Sequence, residues 1–359
     1  MKINNKYSFI TIVIFTILFS KLNNAFNEQI LKDQSLLLRC KKICQNNNKK
    51  FRKFCKKCHS LDMIDKNKIS ENCKIYKEDI ISENKNSSIV LLSSYTKFDY
   101  NKIENLIVFG DSHSFAGNEF TTKNYSSKYL KKHRNWPIKL IEFHKMKLYS
   151  FAESGSVIDS NILDINVIDF STEYETFTNK ILELKDSNQI INRTLFSIQF
   201  GSNDVHIINK YKIENVNSII TKIVDSMFVQ IEKLYNFGAR NLLILNISPL
   251  DNAPINSKGR HNYYTYNISF FNDLIKKKAK LFYDKFPYIN IIIYDTNSFY
   301  KYIMKNCKLN TFDDCTNAQE ENIKKENIKF FWRDFTHISE KGNIILAKDI
   351  NNLLNSINK

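Results

Sequence analysis

A chain of 359 residues with 43% hydrophobic and 13% aromatic content can bury a substantial core, which excludes a disordered protein. Its formal net charge of +16 is uneven, because residues 39 to 75 hold 12 Lys/Arg against 3 Asp/Glu. No stretch reaches the ~20 apolar residues of a membrane-spanning helix.

Residues 1–25 read as a secretory signal: Lys2 and Lys6 precede a largely apolar run of twelve, Ser8 to Phe19. Cleavage after Ala25 fits, although Asn23 is not the usual small residue; a retained signal-anchor is the alternative. A secreted, extracellular protein is therefore expected, and seven cysteines suit an oxidising compartment. Residues 26–100 form a separate Lys- and Asn-rich segment with no Gly or Pro, holding Cys40, Cys44, Cys55, Cys58 and Cys73. Disulfides in a small module, a zinc site, or a pro-segment suit this composition. Cys55-Lys56-Lys57-Cys58-His59 formally matches c-type haem attachment, but a lysine-rich stretch cannot build the apolar pocket haem needs. Asn-x-Ser/Thr acceptors stand at Asn86, Asn124, Asn192, Asn246 and Asn267, with Asn246 the least accessible at a strand end.

From Asn101 the pattern alternates strand and helix. The strands are Leu106–Phe109, Leu148–Ala152, Leu195–Phe200, Leu242–Ile247 and Ile289–Tyr294, continuous apolar runs that suit a parallel sheet covered on both faces. Val216, Ile220, Ile223, Met227, Ile231 and Leu234 recur at steps of three and four, one face of a long helix stopped by Gly238. Phe270, Phe271, Leu274, Ala279 and Phe282 mark the next covering helix. Leu346, Ile350, Leu353, Leu354 and Ile357 mark the last, with Ser339 as its N-cap. This alternation predicts a doubly wound α/β domain over residues 101–359.

Reactive groups in such sheets lie just past the carboxyl ends of the strands. Gly110-Asp111-Ser112 occupies that place after the first strand, and Ser112 is the candidate nucleophile. A serine hydroxyl needs a base, itself held by a third group. Asp334 precedes His337 by three residues, so one turn can set its carboxylate on one ring nitrogen and leave the other for the serine proton. His113 adjoins the nucleophile but points away in an extended turn, and His133, His144, His206 and His261 lack an acid three residues before them. Gly-x-Ser-x-Gly is absent, which argues against the α/β-hydrolase elbow.

Phe109-Gly110-Asp111-Ser112, Ala152-Glu153-Ser154-Gly155, Gly201-Ser202-Asn203-Asp204 and Asp334-Phe335-Thr336-His337 together resemble the ordered blocks of the SGNH/GDSL hydrolases. The likeness is to the fungal and bacterial branch of acetylesterases and lipase-like acylhydrolases, and runs from about Lys102 to the C-terminus. It departs at His337-Ile338-Ser339, where the family often has His-Pro-Thr, and at Ser114, where many members carry Thr or Asp. The resemblance implies a flavodoxin-like five-stranded parallel sheet and a Ser112–His337–Asp334 triad. It also implies an oxyanion hole from the Ser112 and Gly155 backbone N–H groups and the Asn203 side-chain amide. Asp111 would hold the nucleophile turn, Trp136-Pro137 would serve packing, and Asn246 to Leu250 would border the substrate.

The expected activity is acyl ester hydrolysis, by preference of short-chain or acetyl esters such as O-acetyl groups of polysaccharide. Lipid esters, acyl transfer, and an inactive carbohydrate-binding scaffold are the alternatives. The expected partner is an ester substrate and no nucleic acid, with the basic segment on an anionic wall or membrane surface and the chain monomeric. No cofactor is implied, and the catalytic domain has no metal-ligand spacing. Cys307 and Cys315 flank a stretch too polar to hold its own shape and are expected to form a disulfide.

Overall fold

The computed structural model describes residues 87–117, 134–184, 187–256, 261–322 and 328–358. The signal sequence, the five N-terminal cysteines, His59, His133, and the acceptors Asn86 and Asn124 lie outside the described residues.

A short strand, β1 (Ile89–Leu91), precedes β2 (Asn105–Gly110), β3 (Lys147–Ser150), β4 (Thr194–Gln199), β5 (Asn241–Leu245) and β6 (Asn290–Tyr294). Every residue of β2, β4, β5 and β6 is buried, as strands covered on both faces must be. The sheet order is β1-β6-β5-β4-β2-β3, parallel throughout except for β1 against β6. Among the described residues the main sheet thus has six strands, not the expected five. Ile89-Val90-Leu91 pairs with Ile293, Ile292 and Ile291, so part of the stretch read as a separate N-terminal segment belongs to this sheet. A run of three residues carries no periodicity that could reveal a strand. Its role is physical: a very short strand covers the backbone donors and acceptors that β6 would otherwise expose at the edge.

The helices are α1 (Trp136–Phe143), α2 (Phe170–Leu182), α3 (Ser187–Asn192), α4 (Ser202–Tyr211), α5 (Val216–Phe237), α6 (His261–Lys285), α7 (Thr296–Lys305) and α8 (Glu340–Ser356). The apolar stripe read in α5 is buried at Ile220, Ile223, Met227, Ile231 and Leu234, and the helix stops at Gly238 with φ +121°. Ser339 caps α8 by accepting the Gly342 N–H at 3.3 Å. α1 packs with α8, while α5 packs with α2 and α6. Phe109 on β2 collects Phe151, Phe170 and Phe177 with ring centroids 5.4–5.8 Å away. Truncating one such ring to Ala costs ~3–5 kcal/mol.

A second, parallel pair, β7 (Asp314–Ala318) with β8 (Phe330–Trp332), was not read from the sequence, where a polar β7 and a three-residue β8 are separated by an Asn- and Glu-rich stretch. Cys315 of β7 is joined to Cys307 by a disulfide with Cα atoms 6.1 Å apart, as the sequence predicts. Asn246 is buried and donates to Asp295 at 2.8 Å, so it is closed to glycosylation, and Asn267 is likewise buried against Asn209. Asn192 is exposed. Among the described residues no helix is long and apolar enough to cross a membrane.

Candidate active site

The connection from β2 leads to β3 on one side, while β4 lies on the other, so the strand order switches at β2. Open α/β sheets form a crevice beyond the carboxyl ends at such a point. Gly110 ends β2 there with φ +151°, and a Cβ on it would stand 2.4 Å from the Gln199 carbonyl oxygen of β4. Only glycine lets the two strand ends meet this closely. The Asp111 N–H then donates to that same carbonyl, and Asp111 Oδ1 accepts the His113 N–H at 2.9 Å. Asp111 therefore holds the Ser112 turn, as expected.

The turn presents the Ser112 hydroxyl to His337 Nε2 at 2.7 Å. On the far side of the ring, Nδ1 stands 2.8 and 3.0 Å from the two carboxylate oxygens of Asp334. The Asp334 carboxylate also accepts the Thr336 and His337 N–H groups at 3.0 and 2.8 Å. Burial raises its pKa, but the hydrogen bonds and charge of His337 outweigh burial and hold it well below the usual carboxylate range. The loop is closed by the Arg333 N–H donating to the His337 carbonyl at 2.8 Å.

His113 is buried with its ring 5.2 Å from that of His337. Burial, then the charges of His337 and Arg333, push its pKa down to about 3, so it stays neutral beside the site. Burial drives Asp111 and Asp204 up to about 7, and the charge of Asp204 adds to the rise at Asp111.

Gly155 lies in the loop after β3 with φ +86°, and a Cβ there would meet nothing within 4 Å. Backbone conformation, rather than crowding, demands glycine at 155. Asn203, in the first turn of α4, donates its side-chain N–H to the Ser156 carbonyl at 2.8 Å, and the Asp204 carboxylate accepts the Ile158 N–H at 3.0 Å. Asn203 and Asp204 of the Gly-Ser-Asn-Asp block therefore both grip the loop that carries Gly155. Ser248, in the loop after β5, lines a small cavity together with His337, His113, Trp136, Gln199 and Tyr300.

Four contacts around the Ser112 turn, made by Gln199 and Asn135, were not read from the sequence. Gln199 Oε1 accepts from Ser114 Oγ at 2.6 Å and from the Trp136 indole N–H at 3.0 Å. Asn135 donates to the Ser112 and Phe115 carbonyls, both at 2.8 Å. Trp136 thus tethers the turn as well as packing. The signal was a polar Gln199 ending an apolar strand. Among the described residues no group of three His, Cys, Asp or Glu side chains could hold a metal ion.

A parallel α/β sheet with a hydrogen-bonded Ser–His–Asp row past its carboxyl edge has the arrangement of a serine hydrolase. The chain belongs to the GDSL-like lipase/acylhydrolase family, whose model matches residues 106–350. It is similar to an acetylesterase of Thermothelomyces thermophilus, 28% identical over 213 residues that span 53% of this chain and 70% of the relative. It is a carboxylic ester hydrolase. Solved structures that it resembles include an acetyl-xylooligosaccharide esterase of Geobacillus stearothermophilus, with 13% identity, a TM-score of 0.43, and 70% and 96% of the two chains covered. Another is LAE5, a hydrolase from the metagenome of Lake Arreo, with 12% identity, a TM-score of 0.43, and 71% and 97% covered.

Proposed function

We propose that this ester hydrolase acts on short-chain acyl esters, acetyl esters above all, with O-acetylated polysaccharide as the natural substrate class. The observation that carries the mechanism is the unbroken row Asp334–His337–Ser112, with links of 2.8 and 2.7 Å. Ser112 Oγ attacks the acyl carbonyl as His337 Nε2 takes its proton. Asp334 holds the ring and offsets the charge it gains. His337 then protonates the departing alcohol, and water repeats the sequence to release the acid. The Ser112 and Gly155 N–H groups and Asn203 receive the oxyanion. An amide nitrogen carries two hydrogens, so the bond from Asn203 to Ser156 uses one and leaves one to offer.

The acetyl preference draws support from the Thermothelomyces acetylesterase relative. Residues 1–25 are read as a signal for secretion, and the basic stretch up to about residue 86 as an attachment to an anionic surface. The test is kcat/KM for p-nitrophenyl esters of increasing chain length. Acetate is expected to be best, with release of acetate from acetylated xylan in support. A steady rise with chain length would reassign the substrate to lipid, and hydrolysis that persists in Ser112→Ala would end the serine mechanism.

A further inference from the structure

The core-facing stripe of α2 runs Phe170, Glu173, Phe177, Ile181, and all four are buried. Phe170 and Phe177 both pack on Phe109, each with centroids 5.4 Å away, so packing alone would select an apolar residue at 173. A carboxyl in that position costs several kcal/mol of desolvation unless its oxygens are used. Both are used. Glu173 Oε2 accepts the Gly110 N–H at 2.9 Å, and Oε1 accepts the Glu153 N–H at 3.3 Å. The Glu153 N–H also donates to the Gly110 carbonyl at 2.9 Å, so the carboxyl sits under the joint between two loops. Gly110 stands two residues before Ser112, and Glu153 two residues before Gly155. Burial keeps this carboxyl well above the usual range, against the pull of the Gly110 N–H, and the charge of Glu153 adds to the rise.

We infer that Glu173 is a positioning residue that fixes the separation of the Ser112 turn from the Gly155 loop, and with it the width of the oxyanion hole. The inference rests on the roles given above to Ser112 and Gly155. A helix whose task was only to cover the sheet would carry Leu or Met at this point. Glu173 touches no reacting atom; it acts through the two backbone donors it holds.

The experiment is kcat and KM for p-nitrophenyl acetate, with melting temperature, for the full chain and for Glu173→Leu, Glu173→Gln and Ser112→Ala. Leu fills the space and offers no acceptor. Gln keeps one acceptor oxygen and turns an amide N–H toward the second donor. The expected result is a kcat lower by ~10–100-fold in Glu173→Leu, with KM within about twofold, since an ångström of misplacement costs on that order. Glu173→Gln should fall less, by about fivefold or more. A residue that only supports the fold would lower the melting temperature and leave kcat unchanged in the folded variant, and that result overturns the inference. If Glu173→Leu does not fold, Glu173→Gln decides by the same criterion. Hydrolysis that survives Ser112→Ala would instead remove the functional reading beneath, a failure seen in a different variant.

Discussion

The two halves of the site are held in different ways. Ser112, Gly155 and Asn203 follow strands β2, β3 and β4 of the main sheet, and buried polar groups lock their loops to one another: Gln199, Asn135, Asp204 and Glu173. Asp334 and His337 follow β8, in a pair of strands outside that sheet, and β8 is braced by β7. The Trp332 indole donates to the Cys315 carbonyl at 3.0 Å, so the Cys307–Cys315 bond is one residue pair away from the loop that carries His337. The difference teaches where damage should show. On the sheet side, position is guaranteed by the core. On the β8 side it depends on local restraints, and losing them should move activity and stability together.

The largest effect should come where the halves meet. Ser112→Ala or His337→Ala is expected to lower kcat by ~10⁴-fold or more in a folded protein, measured by steady-state hydrolysis of p-nitrophenyl acetate. Asn203→Ala tests the sheet side and, on the oxyanion role proposed for its amide, should cost about 10²–10³ in kcat with little change in KM. A change confined to KM would reassign Asn203 to ground-state binding.

Cys307→Ser tests the β8 side. Opening the loop should remove roughly 2.5 kcal/mol of stability in the chain-entropy model. Melting temperature and kcat should then fall together, whereas a lower melting temperature with full activity would mean that the His337 loop is held without the disulfide.

A pH dependence tests the sheet side without touching the Ser112–His337 contact. Burial raises the Asp204 pKa to about 7 in the folded protein, against about 3.9 in an unfolded chain. The folded state therefore binds more protons between pH ~4 and ~7, so this group's contribution is full at the acid end and is lost as pH rises through the window. Asn cannot ionise, so the gap in melting temperature between wild type and Asp204→Asn should narrow from pH 5 to pH 8. Easing the charge on Asp111 acts in the same direction, while the opposite slope from neutral His113 is common to both proteins. Parallel curves would show that Asp204 is ionised throughout.

Much of this was legible in the sequence because the signals were redundant. β2, β4, β5 and β6 lie in largely apolar runs with a polar turn after each, and Asp334 and His337 stand three residues apart. The rest was hidden for physical reasons. Ile89–Leu91 is too short for any periodicity. β7 consists of Asp, Cys, Thr, Asn and Ala, residues whose strand geometry comes from pairing with β8 rather than from propensity. Glu173 breaks the apolar pattern of α2, and a charge inside a stripe hides the helix it belongs to. Gln199 and Asn135 act through contacts with residues distant in the chain, which no local pattern records.

The central claim is that Ser112 is the nucleophile activated by His337. Labelling the folded protein with a fluorophosphonate and mapping the adduct by mass spectrometry tests it most directly. The expected result is one stoichiometric adduct on Ser112, formed with loss of esterase activity and much slower in His337→Ala. An adduct on another residue, or full hydrolytic activity in protein labelled at Ser112, would contradict it.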